Sequence, residues 1–394
     1  MSRPQPKHSP LSVIAAIIAV ASVGVGLSLS MPLLSMLFEQ RGIPSVWIGA
    51  NTAVAGLAAL VIGPWVTPLA VKLGVTQVLV ACLLIASASL MSLYFVPSFI
   101  GTFPIRLLFH AAITGIIILS EFWINVAAPS GRRGLFLGLY TTMLSLGFVA
   151  GPAILSVTGI EGIAPFASGA AVIALAAIPV LSAARYAPVL HEEPEGAWWK
   201  FIFLSPLAMG AVFVFGISES GLLALFPVYG IRIGFSAEAV TTFLIAMGLG
   251  NVLFQIPIGL LIDRSSKRGL TIVFALAGCL GAVVVPFVTA HQQLLYVVIF
   301  FWGGIIPGLY TLGLAQLGER HKGSDLAMAN AAFIMVYSFG NLAGPPMIGQ
   351  GMEIWNPHGA MWVIAAAFGV FFLFAISGVS RSKFIRHVKV RVQK

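Results

Sequence analysis

The sequence predicts an all-α integral membrane protein, with twelve transmembrane helices arranged as two pseudo-symmetric six-helix bundles. Three observations carry this expectation. Of the 394 residues, 59% are hydrophobic and only 8% are charged, whereas a soluble domain carries about 25% charged residues because its surface faces water. The mean hydropathy is +1.02. Apolar runs of the length that crosses a bilayer, about 20 residues, recur along the chain. This composition excludes a soluble enzyme, a disordered chain and a nucleic-acid binder, despite a net charge of +9.

The expected spans are 10–37, 45–70, 74–96, 101–126, 133–158, 163–185, 201–229, 236–262, 267–290, 293–318, 325–351 and 358–379. The period-2 alternation of a transmembrane β-barrel is absent, and a helix satisfies its own backbone in lipid. The first run, although preceded by Arg3, Lys7 and His8, is too long for a signal h-region and is read as a retained first helix. Placing the N-terminus in the cytoplasm puts 18 of the 21 basic residues on the inside, among them Lys72, Arg132, Arg133, Arg264 and Arg320. Arg41 and Arg232 then lie outside and Arg106 within a span. Both termini are expected in the cytoplasm, and the basic excess reads as a topology signal that also suits anionic lipids. Cys82 and Cys279 fall inside spans as small packing residues. No N-x-S/T sequon occurs, which fits a bacterial inner membrane.

The chain repeats itself. Gly147-x-x-x-Gly151-Pro152 in the fifth span recurs as Gly340-x-x-x-Gly344-Pro345 in the eleventh, 193 residues later. Leu-Ala-Val71-Lys72 aligns with Leu-Ile-Asp263-Arg264 at an offset of 192, as does Gly42 with Gly234. The expected organisation is a six-helix bundle over 1–185, a polar cytoplasmic linker over 186–200, a second six-helix bundle over 201–379, and a basic cytoplasmic tail over 380–394.

The run Gly259-Leu-Leu-Ile-Asp263-Arg264-Ser-Ser-Lys267-Arg268 resembles the cytoplasmic loop signature of the major facilitator superfamily, G-x-x-x-D-R-x-G-R-[RK], with Ser266 in place of the second glycine. The first-half copy has Thr67, Val71 and Lys72 where Gly, Asp and Arg stand in the signature. Gly138, Gly147, Gly151 and Pro152 resemble the superfamily's antiporter signature, although Leu155 and Ser156 replace its last two glycines. Glu121-Phe-Trp123-Ile-Asn125 followed by Arg133-Gly134 resembles a small bacterial branch of the superfamily. The resemblance implies transport by alternating access. It also implies that Gly259, Asp263, Arg264 and Arg268 form a gating loop, whose Asp263 carboxylate pairs in one conformation and is released in the other. The plainer reading of these basic residues is positive-inside bias alone. Likewise the glycine–proline runs are either a coupling element or close helix packing.

Charges inside spans are costly and are functional candidates by default. Arg106, Glu121 and Glu219 are three such charges. At 100° per residue, Arg106, His110, Thr114 and Glu121 fall within an arc of about 80°. The resemblance implies that Arg106 takes part in proton coupling and that spans 1, 4, 7 and 10 line the central cavity. Glu219 is then expected opposite Arg106 at similar depth, with His110 as a third coupling residue; a carboxyl that gains and loses an arginine partner carries a proton. The alternatives are a static ion pair, a glutamate bonded within its own half, and an interior histidine with a purely structural role. Glu121 is expected to be structural, paired with Arg132 or Arg133. Ser28, Ser30, Thr114, Phe215, Ser218, Trp302 and Tyr310 are the expected cavity residues. Asn251, Gln255, Tyr337 and Asn341 are expected to form hydrogen bonds between helices.

No Walker loop, Rossmann fingerprint or H-E-x-x-H is present, so no cofactor, metal or enzymatic activity is expected. The leading expectation is a monomeric, proton-driven exporter of a small amphipathic organic molecule. An importer of a vitamin, sugar derivative or siderophore is the alternative. A receptor or lipid-moving protein without ion coupling is the third.

Overall fold

The computed structural model describes residues 10–128, 133–188 and 199–377. Most of the expected linker, the basic tail and Arg132 lie outside these residues, and the Arg133 side chain is likewise not described. Twelve helices are long and apolar enough to cross a membrane: Pro10–Gln40, Ser45–Leu73, Val75–Phe95, Thr102–Ala127, Leu135–Thr158, Ala164–Ser182, Pro206–Arg232, Ala237–Arg264, Lys267–Val288, Gln292–Arg320, Met328–Ile354 and Gly359–Ile376. They are called spans 1 to 12 below. One end of the molecule carries Glu39, Arg232 and Glu353; the other carries Lys72, Asp263, Arg264 and Arg320. These are called the Arg232 end and the Asp263 end.

Two expected spans differ in detail. Span 7 starts at Pro206 because Ser205 separates it from a short helix, Lys200–Leu204. Span 10 is broken into Gln292–Ile305 and Gly308–Arg320, since Pro307 has no N–H for the Gly303 carbonyl.

Lipid removes the hydrophobic drive between helices, so the spans associate through small residues and buried hydrogen bonds. Within the first half, spans 1 and 5 meet backbone to backbone. A Cβ added at Gly147 would strike the Ala21 carbonyl and the Gly24 Cα, and one at Gly151 would strike Ser28. The second half repeats the contact: a Cβ at Gly340 would strike the Phe213 carbonyl and Gly216 Cα, and one at Gly344 would strike Ile217. Gly24 and Gly216 are 192 residues apart, so both partners of each contact follow the sequence repeat. So do the serines behind them: Ser28 donates to the Gly24 carbonyl (2.8 Å) and Ser220 to the Gly216 carbonyl (2.9 Å). Gly42 and Gly234 both adopt a left-handed backbone, at φ 71° and 98°, where spans 1 and 7 end. Gly138 is different, because a side chain there would meet open space.

Polar bonds tie the other spans within each half. Trp123 Nε1 donates to Ser12 Oγ at 2.7 Å, Ser87 Oγ to the Ala170 carbonyl at 2.8 Å, and Gln316 Nε2 to Thr271 Oγ1 at 2.8 Å. The halves meet most extensively along spans 2 and 11, then along spans 5 and 8. Gly49 is pressed against the Pro345 carbonyl, Gly56 against Ser338 and Leu342, Gly349 against Ser45, and Gly248 against Val149.

These contacts set an expectation for substitution. Gly147→Val and Gly340→Val should each lower the detergent-solubilised melting temperature by about 5 °C or more, because a backbone cannot move aside as a side chain can. Gly138→Ala should leave it unchanged or slightly raised. Equal behaviour of the three variants in a thermal unfolding series would overturn this reading.

Candidate functional site

Spans 5, 7, 8 and 10 line a half-open cleft. Phe148 and Pro152 come from span 5, Phe215 and Glu219 from span 7, Met247 and Asn251 from span 8, and Gly303, Ile306 and Pro307 from the break in span 10. Glu219 stands at the middle of span 7, thirteen residues from either end. It is the single charged residue of the wall. Tyr337 of span 11 donates a hydrogen bond to its Oε2. Asn251 accepts from Gln255 Nε2 at 2.8 Å, a bond along span 8 rather than between helices.

Aromatic rings extend the cleft. Phe215 lies 5.6 Å from Tyr310 and 5.9 Å from Tyr337, ring centre to ring centre, and Tyr310 is 5.2 Å from Phe333. Tyr310 lies within electrostatic range of both Glu219 and Glu121. Glu121 belongs to the first half and its side chain is exposed. Ser120 beside it shares a 3.0 Å hydrogen bond with Tyr140 of span 5. The three groups form a stair. Counted along their helices from the Asp263 end, Glu121 stands about 9 Å in, Tyr310 about 15 Å and Glu219 about 20 Å.

Arg106 lies elsewhere. It is 1% exposed, four residues inside the Arg232 end of span 4, so it sits about 13 Å closer to that end than Glu219 does. That difference in depth corrects the expected pairing: the two form no ion pair in this conformation. Nη1 of Arg106 instead donates to Asn51 Oδ1 of span 2 at 2.8 Å, and Asn51 Nδ2 donates to Thr102 Oγ1 at 3.0 Å. Nε and Nη2 of Arg106 and Nε2 of His110 are buried without a partner. Glu121, on the same arc of span 4, is exposed, so depth divides a stripe that angle alone makes continuous.

The expected cavity residues separate in the same way. Phe215 lines the cleft, and Tyr310 stands in its aromatic extension. Ser28 is fully buried in the seam of spans 1 and 5, 3.2 Å from the Gly147 carbonyl. Ser30 is buried without a partner, and Ser218 is buried with its hydroxyl on the Phe215 carbonyl. Trp302 points to span 9, donating to the Gly278 carbonyl at 3.0 Å. Thr114 is half-buried and donates to the His110 carbonyl.

In the expected gating loop, Asp263 and Arg264 are exposed and neither has an ion-pair partner among the described residues. Lys267 pairs with Glu319 at 2.5 Å, and Arg268 donates to the Ala375 carbonyl at 3.1 Å. A side chain at Gly259 would meet open space.

The polar contacts between the halves were not anticipated, and among the described residues all of them lie at the Arg232 end. Arg232 of span 7 grips Glu39 of span 1 in two bonds, Nε–Oε1 at 2.7 Å and Nη2–Oε2 at 3.0 Å. Such bidentate pairs are the strong, geometrically specific ones. Arg232 also reaches Glu353 at 3.5 Å, and Glu353 accepts the Ser45 N–H of span 2 at 2.8 Å. This end is closed.

The family profile of the Major Facilitator Superfamily matches residues 16–303 and 239–389. The chain belongs to this superfamily. An uncharacterized superfamily transporter of Bacillus subtilis (strain 168), YfkF, is 24% identical over 378 residues, which span 93% of this chain and 95% of that one. An uncharacterized transporter of Yersinia pestis (strain Pestoides F) is 24% identical over 62% of each chain. Among solved structures, a mutant of the nucleoside transporter NupG superposes with a TM-score of 0.78 at 17% identity, covering 94% of this chain and all of that one. A D-xylose-proton symporter superposes at 0.72 and 15% identity, covering 95% and 99%. The fold is therefore that of a multi-pass secondary transporter, and these relatives are transporters rather than enzymes.

If the Glu39–Arg232 grip holds the halves together, Arg232→Ala should raise amide hydrogen–deuterium exchange in residues 36–50 and 350–360. The charge-swapped pair Glu39→Arg with Arg232→Glu should restore most of the protection. Unchanged exchange in Arg232→Ala would show the grip to be incidental.

Proposed function

We propose that this superfamily member is a monomeric, proton-coupled secondary transporter that moves a small amphipathic organic molecule across a bacterial inner membrane, with export favoured over import. The observation that carries the proposal is Glu219, a mid-span carboxyl on the wall of an apolar cleft between the bundles, bonded only to Tyr337 among the described residues. A carboxyl there alternates between charged and neutral forms as protons arrive and leave, and the stair of Glu121 and Tyr310 supplies a polar route to it. The basic residues gathered at the Asp263 end support a cytoplasmic position for that end. The clamped Arg232 end then faces outward, and the cleft is served from inside. In this reading the gating loop works in the opposite conformation, where Asp263 gains the partner it lacks here. Arg106 holds span 4 against span 2 through Asn51 instead of exchanging protons with Glu219.

The test uses inside-out vesicles with an acidified lumen and a pH-sensitive dye, challenged with compounds that thermally stabilise the purified protein. An exporter should leak protons out of the lumen when such a compound is added, whereas an importer should move them the other way. Glu219→Gln should cut the proton signal by about tenfold or more, measured at compound concentrations that saturate the variant, so that weakened binding is not mistaken for lost coupling. Normal pH-driven transport by Glu219→Gln would sink the proposal. Asp263→Ala should insert normally and slow transport about tenfold; wild-type rates would reduce the loop to a topology signal.

A further inference from the structure

Three features of the cleft wall bear on what it receives. Its single charged residue is a carboxylate, and the Oε1 of Glu219 has no hydrogen-bond partner among the described residues. Two prolines in the wall each remove an amide donor: Pro152 leaves the Phe148 carbonyl, and Pro307 the Gly303 carbonyl, without the partner four residues on. Phe148 and Gly303 themselves line the cleft. In transporters, such interrupted helices at mid-membrane supply backbone carbonyls to cations. Phe215 lines the cleft beside Glu219 and its ring packs with those of Tyr310 and Tyr337, so the aromatic cluster adds ring faces of negative potential to this region. Acceptors and aromatic rings thus meet where the wall holds no cationic side chain, and a second carboxylate, Glu121, lies within electrostatic range of Tyr310.

We propose that the Glu219 cleft binds an organic cation: a molecule bearing a positive charge beside an apolar or aromatic body, matched to a wall that is apolar but for Glu219 and Asn251. Glu219 supplies the countercharge through Oε1, Phe215 and the tyrosines supply the ring faces, and Glu121 raises the local concentration of cations at the mouth. An organic anion is disfavoured here. The buried guanidinium that would receive one, Arg106, lies about 13 Å along the helix axes from Glu219 and forms no part of the wall. This inference deepens the transporter reading and rests on it for its biological meaning, but its test measures binding alone.

The probes are tetraphenylphosphonium and tetraphenylborate, which share one shape and carry opposite charges. Equilibrium dialysis against the full-length protein in detergent should show saturable binding of the phosphonium and none of the borate. Glu219→Gln should weaken phosphonium binding by about tenfold or more, and Glu121→Gln by about twofold to fivefold. Glu219→Asp, which keeps the charge, should stay within about threefold of wild type and so separates loss of charge from loss of fold. Saturable binding of the borate, failure of the phosphonium to bind the wild-type protein, or undiminished phosphonium binding by a folded Glu219→Gln would overturn the cation assignment. The two readings fail separately. Absence of a pH-dependent signal in the vesicle assay, with phosphonium binding intact, would reject proton coupling and leave the cation site standing.

Discussion

The architecture depends on how closely two backbones can approach. In lipid, apolar side chains gain nothing by leaving one apolar neighbour for another, so the helices hold together only where dispersion contacts and hydrogen bonds exceed what the lipid supplies. Glycine pairs provide this twice, Gly24 with Gly147 and Gly216 with Gly340. Each fixes an inner helix, span 1 or 7, against a flanking one, span 5 or 11. Because span 7 carries Glu219 and span 11 carries Tyr337, the same close packing sets their hydrogen bond. The rigidity of each half and the geometry of its carboxyl follow from one constraint.

Between the halves the balance is different. Spans 2 and 11 also pack on glycine, at Gly49, Gly56 and Gly349, yet among the described residues the hydrogen bonds and ion pairs between the halves lie at one rim. Backbone packing is uncharged and weakly directional, whereas the ion pair at the rim is specific. Two-state machines need contacts of this kind, specific when formed and dispensable when broken. Among the described residues, Asp263 at the far rim has no ion pair.

Much of the fold was legible in the sequence because lipid enforces so few solutions. Span number and the internal repeat follow from hydropathy and from glycine spacing, and Gly42 and Gly234 even share a left-handed turn. The site was less legible. Angular position placed Arg106 and Glu121 on one stripe, but helix depth, which depends on where each span truly begins, separates Arg106 from Glu219. Trp302 and Ser28 have the chemistry of cavity residues, and the nearby carbonyls of Gly278 and Gly147 took their donors. Asn51 gave no signal, since an asparagine in an apolar span names no partner. The rim clamp left no trace either: Glu39 and Arg232 stand 193 residues apart, one more than the 192 that relates span 1 to span 7 at Gly24 and Gly216 and at Gly42 and Gly234.

The two kinds of contact answer differently to salt. The glycine seams carry no charge, so ionic strength leaves them alone, whereas an ion pair that water can reach is screened. Glu39 and Arg232 keep 16% and 17% of their side chains accessible. Salt on that side of the membrane therefore acts on the rim clamp without loosening the seams.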